Sequence, residues 1–110
     1  MELGREIEAS AERVWHVVGE RFGDMSWSSG ITRSNLEGEL GAGAVRVCQF
    51  PPNMFSKDGQ VRERLLSFDR DTMRLSYEAG PTGPMKRATN RWSVVALGRQ
   101  RCRVDMRATV

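Results

Sequence analysis

The sequence is poor in the residues that most often carry metal or redox chemistry. Its 110 residues include two cysteines, Cys48 and Cys102, and one histidine, His16. Two cysteines so far apart predict neither a disulfide framework nor a zinc cluster, and we expect both to be reduced and buried. A lone histidine without a nucleophile motif predicts a surface or boundary residue and excludes a catalytic triad. The sequence therefore predicts no metal and no cofactor.

Long apolar runs are also missing. No stretch approaches the roughly 18 apolar residues of a membrane-spanning helix, and the first residues lack the basic and apolar segments of a signal peptide. Apolar residues make up 39% of the chain and charged residues 28%, which excludes a disordered tail. These features predict one cytoplasmic domain, residues 1–110.

The net charge of +3 is unevenly distributed. Residues 1–39 contain four bases and eight acids, whereas residues 86–110 contain seven bases and one acid. One interpretation is an anionic partner such as nucleic acid. It would use the arginines Arg87, Arg91, Arg101, Arg103 and Arg107, but no aromatic side chains alternate with them, which disfavours a single-stranded partner. The other interpretation is that the acidic and basic ends of the chain lie side by side.

Hydrophobic periodicity predicts one strand and one helix at the start of the chain. Residues 2–8 alternate, with Leu3, Arg5 and Ile7 on one side, as in a half-buried strand. Ser10 is a good N-cap for a helix that we expect to reach about Arg21. Its apolar face consists of Ala11, Val14, Trp15, Val18 and Phe22. The polar residues 23–30 form a turn and leave room for a short second helix.

The remainder of the sequence reads as six strands joined by turns. Glycine, proline and aspartate punctuate it, as at Asp58-Gly59 and residues 80–84. The predicted strands are residues 31–37, 44–50, 61–68, 72–79, 86–97 and 101–110. Short connections between strands imply an antiparallel meander, so we predict an α+β fold in which the helix covers part of one sheet face.

Several short strings, in this order, resemble the START-like (SRPBCC) superfamily, specifically its bacterial polyketide cyclase/dehydrase and lipid-transport group. The strings are residues 7–15 (IEASAERVW), Trp27, residues 41–46 (GAGAVR), Asp58-Gly59 with residues 61–65 (VRERL), Ser76-Tyr77, and Trp92 on the long penultimate strand. The resemblance covers essentially the whole chain.

The resemblance implies a Bet v 1-like helix-grip fold, in which a curved antiparallel sheet of six to seven strands wraps a long C-terminal helix. It also implies an apolar cavity for a lipid, polyketide or aromatic metabolite, and a first strand paired with the last. Glu2, Glu6 and Glu8 would then lie near Arg101, Arg103 and Arg107. The strand pattern runs to Val110, so we expect the C-terminal helix to be missing or very short. An open apolar face favours a partner chain, such as a second copy in a homodimer.

Glu63 is the most informative carboxylate. It shares one side of its predicted strand with Val61 and Leu65, whereas Leu66 and Phe68 lie on the other side. Because both sides contain apolar residues, alternation leaves open which one faces the cavity. An inward Glu63 would need a partner such as Arg46, or would act as an acid or base in the cavity.

Three functions are compatible with these residues. The first is binding of a small hydrophobic molecule, with Trp27, Glu63, Tyr77, Asn90 and Trp92 lining the cavity, although these residues also fit an ordinary core. The second is a cyclase or dehydratase in which Glu63 or Tyr77 transfers a proton and Arg46 steadies an enolate oxygen. The third is the anionic partner considered above, which we rank last.

Overall fold

The computed structural model describes residues 2–28, 30–51, 59–80 and 88–109. A helical segment lies between the first two strands: α1 spans Ala11–Trp15 and continues as a π-helical turn over His16–Glu20. The strands are β1 (Glu2–Ile7), β2 (Arg33–Glu37), β3 (Val45–Gln49), β4 (Gln60–Asp69), β5 (Arg74–Ala79), β6 (Ala88–Gly98) and β7 (Arg101–Thr109).

All seven strands form one antiparallel sheet in the order β1-β7-β6-β5-β4-β3-β2. The predicted meander is confirmed, and β1 lies beside β7 as the resemblance implied. The described residues after β6 contain no long helix, and residues 21–28 form turns in place of a second helix.

The helical segment begins as predicted but changes its winding halfway. The Ser10 hydroxyl caps it by accepting from the Arg13 backbone N–H at 3.2 Å. Beyond Trp15 the prediction of an α-helix is wrong, because the Arg21 N–H donates to the carbonyl of His16, five residues earlier, at 3.0 Å. A Cβ on Gly19 would lie 2.6 Å from the Trp15 ring. Glycine therefore lets the wide turn fold onto the indole.

Two strands of the described part of the chain, β2 and β5, begin two residues later than the sequence predicted. β5 begins at Arg74 rather than at residue 72, because Met73 adopts a positive φ of 54° and belongs to the preceding turn. β2 begins at Arg33, two residues later than expected. The predicted turn residue Asp58, the loop 81–84, and Lys86, Arg87 and Val110 lie outside the described residues.

Charge pairing across β1 and β7 accounts for much of the uneven charge. Arg101 forms an ion pair with Glu6, and Arg107 with Glu2. Opposite charges across neighbouring strands stabilise a sheet by about 0.2–1 kcal/mol per pair. The acidic and basic ends of the chain therefore lie side by side, as the second interpretation proposed.

Other charges of the two ends do not follow this scheme. Arg103 lies opposite Glu6 in the register, as the resemblance implied, but its ion pair is with Asp105 within β7. Arg91 of β6 lies directly opposite Arg107 of β7. Glu8 lies beyond the end of β1.

We call the sheet face against which the helical segment packs the inner face. The strand register places one alternate set of side chains on it, including Ile7, Val104 and Leu65. Trp15 of the helical segment and Phe22 of the turn that follows it meet the sheet, with ring centroids 5.3 Å apart for Trp15–Phe68 and 5.6 Å apart for Phe22–Tyr77. The buried core consists of Ala11, Trp15, Phe22, Ala44, Leu65, Leu75, Tyr77, Val94 and Cys102. Cys48 and Cys102 are free and buried, as predicted.

Candidate functional site

A β-bulge decides which side of β4 faces inward. In the register with β5, Glu63 pairs with Ala79 and Leu65 with Tyr77, which places both on the inner face. The register then shifts between Leu65 and Ser67. Because the bulge adds one residue, Phe68 also joins the core. The two apolar sets seen in the sequence thus both contribute to the inner face, and only Leu66 remains exposed.

Glu63 lies in a compact polar cluster with Arg46. The Arg46 Nε donates to Glu63 Oε1 at 2.8 Å, and Arg46 Nη2 lies 2.6 Å from the same oxygen. Only 5% of the Arg46 side chain and 15% of the Glu63 side chain are exposed. The pair is therefore largely removed from water, and each charge depends on the other for compensation.

The guanidinium of Arg46 also joins the turn after the helical segment to the sheet. Its Cζ lies 3.9 Å from the Phe22 ring centroid and 5.0 Å from that of Tyr77. Its Nη1 donates to the Phe22 carbonyl at 3.2 Å and contacts Met25 Sδ at 3.1 Å. These contacts satisfy the cation on several sides, which is the arrangement expected of a structural clamp.

Two neutral acids border this cluster. Burial raises the pKa of the Cys48 thiol to about 12, and the adjacent Glu63 carboxylate acts in the same direction. The thiol donates to Glu63 Oε1 at 3.5 Å. Burial and the same carboxylate also raise the pKa of Tyr77, while Arg46 acts in the opposite direction. Both groups are therefore protonated at neutral pH, so neither acts as a base or nucleophile there.

An open apolar groove of about 710 Å³ lies on the inner face between β1, the helical segment, β6 and β7. Ligand sites commonly have volumes of about 300–1,000 Å³. The apolar side chains that line it are Leu3, Ile7, Ala9, Val14, Val17, Val18, Trp27, Trp92, Val104 and Met106.

Most of the large apolar side chains that are exposed in the described part of the chain line the groove. Five large hydrophobic residues in the described ranges are exposed, and three of them line this groove: Leu3 at 56%, Val17 at 38% and Trp27 at 50%. Single exposed apolar residues are ordinary, but a contiguous set marks a binding surface. The groove is accordingly the candidate binding site.

The residues predicted for ligand binding fall into two groups. Trp27 and Trp92 line the groove. Glu63 and Tyr77 lie in the buried cluster, and Asn90 is half-buried on β6, opposite Tyr77. Trp92 lines the groove, and its buried Nε1 has no hydrogen-bond partner in the described structure.

Sequence reasoning missed two cations in the groove, Arg5 and Arg13. A signal for Arg5 was present, since it alternates onto the same side of β1 as Leu3 and Ile7. Arg13 carried no such signal, because it lies beside the apolar stripe of the helix. No group of three or more potential metal ligands occurs among the described side chains. No helix in the described part of the chain is long and apolar enough to cross a membrane.

The curved antiparallel sheet, its inward-packed helical segment and the apolar groove define a Bet v 1-like helix-grip protein. Norcoclaurine synthase from Thalictrum flavum shares this fold, with a TM-score of 0.74, 17% sequence identity and coverage of 98% of this chain and 66% of that one. Ara h 8.0201 gives a TM-score of 0.76 at 10% identity, covering 98% and 72% of the two chains.

A protein from Thermobifida fusca solved by NMR gives a TM-score of 0.79 at 25% identity, covering 99% of this chain and 71% of that one. The chain belongs to the polyketide cyclase/dehydrase and lipid transport family, whose sequence pattern matches residues 1–110. The resemblance inferred from the sequence is thereby confirmed. The chain spans slightly less than two thirds of the norcoclaurine synthase chain, 65–66%. No curated protein matches it in sequence.

Proposed function

We propose that the protein binds a small hydrophobic ligand in the groove between β1, the helical segment and β7. The observation that carries this proposal is the collection of exposed apolar side chains around one space of about 710 Å³. Membership of a family described by lipid transport and polyketide chemistry supports it.

In this proposal Trp27 and Trp92 form walls of the site. The other predicted residues, Tyr77, Asn90 and Glu63, lie further along the inner face, where the first two offer polar groups to a ligand that reaches past Trp92. The driving force is removal of apolar surface from water, and burial of a leucine-sized side chain contributes about 1.5–3 kcal/mol. Leu3, more than half exposed, has much of this energy still to gain.

The test uses a neutral fluorescent probe, N-phenyl-1-naphthylamine, and displaces it with 1-dodecanol. We expect the wild-type protein to bind the probe and Leu3→Asn to bind it about tenfold more weakly, because a wall of the groove becomes polar. Leu66→Asn is the matched control, since Leu66 is 41% exposed on β4 and does not line the groove. A folded wild-type protein that binds no probe would refute the proposal.

The alternative, a cyclase or dehydratase that uses Glu63, Tyr77 and Arg46, has less support. Glu63 is engaged by Arg46, and burial keeps Tyr77 protonated. Neither side chain lines the groove. A homodimer and an anionic macromolecular partner stay predictions.

A further inference from the structure

We propose that the ligand of this groove is a single-chain anionic amphiphile, a free carboxylic acid whose headgroup binds Arg5 and Arg13. This inference rests on the proposed function and specifies the class of ligand. The groove is an apolar space with cations and no anion, which matches an apolar molecule with one negative end.

The charge of the groove has one sign. Among the described residues that line it, Arg5 and Arg13 are the only charged ones, and no aspartate or glutamate joins them. Arg5 projects from β1 between Leu3 and Ile7 and lies opposite Val104 in the register. Arg13 lies in α1 on the other wall. A carboxylate entering the groove would therefore meet two cations and no acidic side chain in the described lining.

Both guanidinium groups are available. Neither Arg5 nor Arg13 has an ion pair or a side-chain hydrogen bond in the described part of the chain. The arginines of the adjacent strand behave differently, since Arg101 and Arg107 are each held by a glutamate of β1. The outer side of the β1–β7 pair is thus internally neutralised, whereas the inner side keeps unpaired positive charge beside an apolar surface.

This arrangement suits an arginine that recognises a carboxylate. The planar guanidinium offers paired N–H donors that match the two carboxylate oxygens, and its stem can lie along the apolar wall. A neutral lipid would leave these donors to water, and an amine would be repelled. The expected order of affinity is therefore carboxylate, then alcohol, then amine for chains of equal length.

The experiment compares laurate, 1-dodecanol and dodecylamine, each as a monomer, as competitors of the neutral probe. We expect laurate to compete about tenfold better than dodecanol at low ionic strength, because two exposed charge contacts each contribute about threefold. Added salt should weaken the binding of laurate and leave the binding of dodecanol unchanged.

Three variants test the assignment. Arg5→Gln and Arg13→Gln should each reduce the preference for laurate about threefold, and the double variant should abolish it while dodecanol binds as before. Arg33→Gln is the matched control, since it removes the same charge from β2 at the opposite edge of the sheet, outside the groove. It should keep the full preference.

The outcomes separate this inference from the function on which it rests. Equal binding of laurate and dodecanol, or a preference that survives in the double variant, would overturn the inference and leave hydrophobic binding intact. If no competitor and no probe binds, the proposed function itself fails. Cosedimentation with oleate-containing vesicles, without displacement of the probe by monomeric laurate, would show a membrane surface as the partner and would also overturn it.

Discussion

Replacing Arg46 with methionine should cost about 3 kcal/mol of folding stability. The substitution removes the guanidinium and leaves the Glu63 carboxylate, whose side chain is 15% exposed, with the Cys48 thiol at 3.5 Å. Breaking a buried ion pair by deleting one partner typically costs about 3–5 kcal/mol. We place the effect at the lower end because methionine retains apolar contact with the Phe22 and Tyr77 rings.

Urea unfolding followed by tryptophan fluorescence measures this loss, and a melting curve should show a Tm lower by about 12 °C, at about 4 °C per kcal/mol for a chain of this size. Arg64→Met is the matched control. Arg64 pairs with Glu78, and its side chain is 55% exposed. Solvent screens such a pair, so its loss should cost less than about 1 kcal/mol.

A double variant distinguishes a lost ion pair from a lost side chain. Arg46→Met combined with Glu63→Leu leaves no unpaired charge, so it should recover stability to within about 1 kcal/mol of the wild-type protein. The reasoning is refuted if Arg46→Met costs no more than Arg64→Met. It is equally refuted if the double variant is no more stable than Arg46→Met alone.

Two further predictions concern other parts of the core. Gly19→Ala should destabilise the protein by about 1–3 kcal/mol in urea unfolding, because the new Cβ would lie 2.6 Å from the Trp15 ring. Gly98→Ala is the control and should be nearly neutral, since a Cβ there would have no atom within 4 Å. An unchanged stability of the Gly19→Ala variant would contradict the packing. Folding holds the Cys48 thiol protonated, with its pKa raised by burial from 9.0 to about 12, so this stability is complete below pH 9 and is lost as the pH rises towards 12. The Cys48 thiol should therefore lower the free energy of unfolding above pH 9 by at most about 1.4 kcal/mol per pH unit, in addition to the contributions of Cys102 and Tyr77, whose pKa values burial also raises, and Cys48→Ala should make the slope shallower.

Much of the fold could be predicted because its helix start and its strands depend on residues that are close together in the sequence. The Ser10 cap and the alternation of β1 depend on neighbours in the sequence, and both are present in the structure. The π-helical turn could not be predicted, because apolar residues at spacings of three and four look alike in both windings. The wide turn brings the Gly19 backbone against the Trp15 ring, a contact that the apolar spacing does not reveal.

The candidate site was less accessible to sequence reasoning. The sequence pattern around Glu63 allowed two orientations of its strand. A β-bulge that this pattern does not predict brings both Leu65 and Phe68 to the inner face. Arg5 and Arg13 acquire a shared role only when β1 and the helical segment form opposite walls of one groove. A sequence shows which residues alternate together, but not which surface lies across from them.

The position of β1 affects how the chain folds. Its partner in the sheet is β7, and the ion pairs between them join residues separated by 95 and 105 positions. A ribosome adds about 5–20 residues per second, so β7 is synthesised several seconds after β1, and during this time the apolar side chains of β1 are exposed. Such distant pairing slows folding. Formation of the β1–β7 ladder is therefore expected to be the slow step, and β1 to be the strand that needs a chaperone's protection during synthesis.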